Sequence, residues 1–183
     1  FVPAKLLPQM ADCADVVRHT LQHPGVTVMA LVPNLKGAEG ALRSGVHKLT
    51  IPCSASEAHS LANVRKSRKD MVEEVRAIVQ LRNDIAPGVK IEAGLSTAFG
   101  CTIQGIVTDD DVLWMAEQVV EAGVDEAGLS DSTGMANPAQ VRRLFGRLLE
   151  ILAEDGLLVP LQLQLLQSEM LPFDKMETAA NSN

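Results

Sequence analysis

Residues 121–141 read EAGVDEAGLSDSTGMANPAQV. The apolar run Val124 to Leu129 has the length and composition of a buried strand. It ends in the turn-forming string Ser130-Asp131-Ser132-Thr133-Gly134, and only then does Asn137-Pro138 supply a helix cap followed by a first-turn proline. A strand, a polar tip and a separately capped helix follow one another, which is one βα unit. The step into that strand, Gly123-Val124, recurs in HPGVTV, RSGVHK, APGVKI and EAGVDE, each time where a helical pattern gives way to an apolar run.

Working outward, strands are expected at Val26 to Val32, Lys48 to Pro52, Val89 to Leu95, Val124 to Leu129 and Leu157 to Leu163. Helices are expected at about Asp12 to Gln22, Gly37 to Arg43, Ser67 to Asp84, Asp109 to Ala122 and Asn137 to Glu154, with Ser67 and Asp70 spaced as a capping box. Alternation of this kind calls for parallel strands covered by helices, either in a closed (β/α)8 barrel or in an open doubly wound sheet. The 183 residues hold about five such units, whereas a complete barrel takes roughly 250 residues. The expected fold class is therefore α/β, about five βα units of parallel strands with outer helices, and if it is a barrel it is incomplete.

Composition narrows the function. With 46% hydrophobic residues, 3% aromatics and no Tyr, the core must be aliphatic and a base-stacking surface is disfavoured. A net charge of −7 opposes polyanion binding, so nucleic acid is not an expected partner. The longest apolar run, Leu157 to Leu166, is broken by Pro160, Gln162 and Gln164 and is far shorter than the roughly 20 residues that span a bilayer, so no membrane partner is expected either. Cys13, Cys53 and Cys101 are odd in number and form no CxxC pair, which suits free thiols in a reducing compartment.

In either architecture, chemistry gathers beyond the carboxyl ends of parallel strands. Lys36 follows the first strand in PNLKG and is placed to offer a point charge to a phosphate or carboxylate, or else is a solvated lysine. The stretch SASEAHSLANVRKS, residues 54–67, reads as a long connection of the binding-loop kind. In it Asn63 either bonds a substrate amide or caps a turn, and His59 is a lone histidine of the sort more often found at a surface than at a ligand. Asp131, relieved of capping duty by Asn137, could orient a substrate hydroxyl, accept a proton, or fasten the Ser132-Thr133-Gly134 turn. Ser96 and Cys101 are further candidates, although a buried structural role is the default for a cysteine. There is no GxGxxG, GxSxG, P-loop, HExxH or His-x-His.

The stretches FVPAKLLPQMAD, VPNLKG, SASEAHSLANVRKS, GLSTAFGC and GLSDSTGMANPAQV occur here in the order and near the spacing of 3-hydroxy-3-methylglutaryl-CoA lyase, and over Phe1 to Phe145 the chain resembles that family of the DRE-TIM metallolyase superfamily. The resemblance implies a TIM barrel that cleaves 3-hydroxy-3-methylglutaryl-CoA to acetyl-CoA and acetoacetate by a retro-Claisen reaction with Mg²⁺ or Mn²⁺, so that 1–166 are expected to form a partial (β/α)8 TIM barrel and 167–183, where the resemblance is lost, a divergent, disordered tail. It also implies an acyl-CoA partner, a possible homo-oligomer, and a cytoplasmic location, or the mitochondrial matrix in a eukaryote. By position, Lys36 and Asn63 match residues that contact the acyl-CoA, and Asp131 matches an active-site aspartate.

Departures accompany the match. The family's Arg-Asp pair and second-strand Glu would precede Phe1, and Gln162-Leu163-Gln164 stands where a metal-binding His-x-His is expected. Gln is a poor substitute for imidazole toward a divalent cation. The metal ligands are thus expected to be missing from this chain, Gly94 stands where many members carry Tyr, and the chain alone is expected not to turn over. The alternatives are a non-catalytic open α/β fragment that binds a CoA-like ligand or a partner, and an aldol-type enzyme acting on 2-oxo acids.

Overall fold

The computed structural model describes residues 1–2, 5 and 7–154, together with the backbone of 161–165. Five strands, β1 (Met29–Leu31), β2 (Lys48–Ser54), β3 (Lys90–Ser96), β4 (Glu126–Asp131) and β5 (Leu161–Leu165), form one sheet in the order β1-β2-β3-β4-β5. Every neighbouring pair is parallel. Six α-helices accompany them: α1 (Cys13–Thr20), α2 (Leu35–Arg43), α3 (Glu57–Val64), α4 (Arg68–Ile85), α5 (Asp109–Glu121) and α6 (Pro138–Glu154). Strands that are consecutive in the chain and adjacent in the sheet are the topology of a (β/α)8 barrel, here represented by five of its strands. The fold expectation holds. The tail expected at 167–183 lies outside the described residues.

Alternation along the strands sorts the two faces of the sheet. Leu49, Ile51 and Cys53 of β2, Ile91, Ala93 and Leu95 of β3, and Ala127 and Leu129 of β4 are almost fully buried. They meet apolar positions such as Met71, Val75 and Ile78 of α4, Val112, Met115 and Val119 of α5, and Leu144 and Leu148 of α6. Burying each large aliphatic side chain contributes about 1.5–3 kcal/mol, so this layer between sheet and helices is the core. Lys48, Thr50, Pro52 and Ser54, with Glu92 and Ser96, occupy the opposite face. There Lys48 Nζ lies 2.8 Å from Glu92 and 2.6 Å from Glu126, tying β2, β3 and β4 together at their amino ends. Burial disfavours the Lys48 charge, but hydrogen bonds and attraction from Glu126 and Glu92 outweigh it and leave its pKa above the ordinary lysine value.

Helix starts follow side-chain chemistry. Ser67 and Thr108 form capping boxes with Asp70 and Asp111 at the heads of α4 and α5. The stretch 54–67, expected as an open connection, contains α3 instead: Ser56 accepts the His59 N–H as its cap, and Glu57 sits in the first turn. Helix α2 begins at Leu35 rather than Gly37, because Asn34 is its cap and accepts the Gly37 N–H at 2.9 Å. The last strand, expected from Leu157, is observed at Leu161–Leu165; positions 157–160 lie outside the described residues.

Candidate functional site

Because all five strands run in the same direction, their carboxyl ends share one rim, and Lys36, Asn63 and Asp131 each follow such an end. Lys36 is exposed in the first turn of α2, and Asn63 is exposed in the last turn of α3. Asp131 closes β4 and is 6% exposed. No hydrogen bond or ion pair joins any two of them among the described residues.

The role of Asp131 is explicit in its bonds: Oδ1 accepts the Met135 N–H at 2.9 Å and Oδ2 accepts the Ala136 N–H at 3.1 Å. Asn137 caps α6, its Oδ1 accepting the Gln140 N–H at 2.9 Å. The turn-fastening alternative for Asp131 is thus realised. Each of its oxygens keeps a further lone pair for a ligand.

Sequence reasoning missed a network of hydroxyls beside it. Ser56 Oγ donates to Gln104 Oε1 at 2.9 Å, and the Ser56 N–H donates to Thr97 Oγ1 at 3.3 Å. The Thr97 N–H donates to Ser132 Oγ at 3.0 Å, while Thr133 Oγ1 donates to the Gly100 carbonyl at 3.1 Å. Thr97 is fully buried with φ +59°, a conformation that costs a non-glycine residue about 1–3 kcal/mol and persists only where surrounding bonds hold it. No sequence signal announces it. Gly100 is constrained differently: with φ +147°, a Cβ there would lie 2.6 Å from Met135 Sδ, so the β3–α5 and β4–α6 loops meet backbone to side chain.

Cys101 and Gly105 form an isolated antiparallel bridge in the β3–α5 loop. Burial pushes the Cys101 thiol up, but the Ser56 hydroxyl beside it, whose one proton is shared with Gln104 Oε1, and the Gln104 and Ile103 N–H groups outweigh this and set its pKa below the ordinary thiol value. Cys53, fully buried in the core with no such donors, is pushed up to about 12. A third rim contact joins Ser54 Oγ, at the end of β2, to His59 Nδ1 at 2.8 Å.

The donors present do not fit a divalent cation. Among the described residues no three His, Cys, Asp or Glu side chains cluster to hold a metal, so the Asp131 carboxylate has no companion ligands there. The segments that follow the strand ends carry the Lys36 cation, the Asn63 amide, the Asp131 carboxylate and a row of hydroxyls.

The sheet defines the class, a (β/α)8-barrel protein represented by part of its barrel. Residues 4–159 match the HMGL-like family. Hydroxymethylglutaryl-CoA lyase of Bacillus subtilis is 37% identical over 150 residues, covering 81% of this chain and 49% of the relative. The 3-hydroxy-3-isohexenylglutaryl-CoA/hydroxymethylglutaryl-CoA lyase of Pseudomonas aeruginosa is 38% identical over 144 residues, covering 79% of this chain and 47% of the relative. Among solved structures, the Acinetobacter baumannii HMG-CoA lyase in complex with coenzyme A and 3-methylmalate superposes with a TM-score of 0.76 at 30% identity, over 90% of this chain and 51% of that one. The chain belongs to the HMGL-like family, and it spans about half the length of the curated relatives it matches.

Proposed function

We propose that this chain carries the acyl-CoA-binding part of a carbon–carbon lyase of the hydroxymethylglutaryl-CoA type. The observation that carries the reading is the shared rim: Lys36, Asn63 and Asp131 follow the carboxyl ends of β1, β2 and β4, where barrels of this class bind their ligands. Lys36 pairs with an anionic group of the coenzyme, Asn63 bonds its amides, and Asp131 faces the 3-hydroxyl of the acyl group while its turn stays fastened. A relative solved with coenzyme A supports this ligand class. The whole protein's reaction is the retro-Claisen cleavage of 3-hydroxy-3-methylglutaryl-CoA, with Mg²⁺ or Mn²⁺ as its cation, in the cytoplasm or the mitochondrial matrix.

The donor set described above favours a second statement: these residues bind and orient, and do not cleave by themselves. Titration calorimetry with 3-hydroxy-3-methylglutaryl-CoA tests the binding claim. Lys36→Ala is expected to weaken the complex by about tenfold, the equivalent of one charge-assisted bond at about 1.4 kcal/mol. Equal affinity of the variant and the parent would remove Lys36 from the site. Acetoacetate release by this chain with Mg²⁺ or Mn²⁺ would overturn the second statement.

A further inference from the structure

We infer that His59 is an additional ligand-binding residue, whose Nε2–H donates to an oxygen of the acyl portion of the bound thioester; the inference rests on the acyl-CoA reading above. It begins with Ser54, which is 1% exposed. Among the described residues the only hydrogen-bond partner of its hydroxyl is His59 Nδ1, at 2.8 Å. A buried O–H with no acceptor is expensive, so the hydroxyl donates and Nδ1 accepts. A neutral imidazole that accepts at Nδ1 carries its proton on Nε2. Ser54 therefore fixes both the tautomer and the direction of the ring.

Placement supplies the rest. Ser54 is the last residue of β2, pairs in register with Ser96 of β3, and lies on the face opposite the helix-covered Leu49, Ile51 and Cys53. That face is the inside of the barrel, so the ring attached to Ser54 stands at the barrel mouth. His59 is half-buried, and among the described residues its Nε2 has no hydrogen-bond partner. One turn further along α3 is Asn63, on the same helix face. The helix thus offers two donors in line, the outer amide to the coenzyme and the inner imidazole to the acyl group.

Two substitutions separate the nitrogens. His59→Asn keeps an amide near the position of Nδ1, where it can still meet Ser54, but has nothing at Nε2; His59→Gln reaches the Nε2 position. In calorimetry with the full chain, His59→Asn is expected to weaken 3-hydroxy-3-methylglutaryl-CoA by about tenfold and to leave free coenzyme A within about twofold, while His59→Gln recovers most of the loss. Melting temperatures are read alongside. Unchanged affinity of His59→Asn for the acyl-CoA overturns the inference. Equal losses toward the acyl-CoA and free coenzyme A, or a loss that His59→Gln does not recover, overturn it as well, because they assign His59 to the fold. If the parent chain binds neither ligand, the acyl-CoA reading falls and takes this inference with it; binding of coenzyme A without a His59→Asn effect sinks the inference alone.

Discussion

Asp131 reconciles two demands on one carboxylate. Its two oxygens hold the Met135 and Ala136 amides, so the loop from β4 to α6 is shaped before any ligand arrives. Asn at this position can accept one amide but presents its own NH₂ to the other. Asp131→Asn should therefore lower stability by about 1–3 kcal/mol, read as a shift in the urea midpoint; an unshifted midpoint would show that the loop does not depend on the second bond. Cysteines offer a second residue-scale test, since the thiolate is the reactive form. Both thiols are buried and react only as the chain opens locally, and Cys101, in a loop and acidified by its donors, should then be alkylated by iodoacetamide at pH 8 before Cys53, which lies in the core and is pushed up to about 12. Peptide mass spectrometry resolves the order, and faster labelling of Cys53 would contradict the hydrogen-bond account of Cys101.

At the scale of elements, the heads of the long helices were the most readable features, because a cap acts between residues three apart. Ser67 with Asp70 reads directly from sequence and closes as a complete box. Thr108 with Asp111 closes a second complete box at α5, one the sequence expectations did not include. Removing either hydroxyl, by Ser67→Ala or Thr108→Ala, should cost about 1 kcal/mol with an unchanged denaturant slope, measured by chemical unfolding. Strand identity was equally legible, since Gly-Val steps and aliphatic alternation are local. Helix α3 was not: its cap, Ser56, sits among small polar residues that read as loop, and the eight-residue helix has only Ser60 fully buried, so no apolar stripe marks it. The rim network was illegible for another reason. Ser56, Thr97 with Gln104, and Ser132 come from three separate connections, and only the parallel register of β2, β3 and β4 brings them together. Lys36, Asn63 and Asp131 could be suspected one by one because each follows a strand, while the Ser54–His59 contact required the fold.

Across the whole molecule, acid stability should depend on a carboxylate far from the rim. Asp125, just before β4, accepts from the Ile91 N–H at 2.9 Å, from Arg82 at 2.8 Å and from Lys90 at 2.8 Å, joining β3, β4 and α4. Burial alone would raise its pKa, but Lys90, the Ile91 amide and Arg82 outweigh that and hold the carboxyl below its usual range. Asp109 is depressed chiefly by Arg143, and Asp111 by Thr108 and Arg68 against the opposing effect of burial. A folded pKa below the unfolded value of about 3.9 means that each group's contribution is fully present above that value and disappears as pH falls through the folded pKa. Acid unfolding should therefore set in below about pH 4. Replacing Asp125 by Asn leaves Arg82, which is nearly buried, without its counter-charge, although the Val89 and Gly123 carbonyls still accept from it. The expected loss at pH 7 is about 2 kcal/mol, less than the 3–5 kcal/mol of a buried charge left wholly unpaired. As pH falls from 7 through the depressed folded pKa the parent protonates the same carboxylate, so the stabilities of the two proteins should converge between neutral pH and the acid limb of the unfolding curve. Urea midpoints at pH 7 and on that acid limb decide it: a gap that stays constant would mean that Asp125 acts through its shape and hydrogen bonds rather than through its charge.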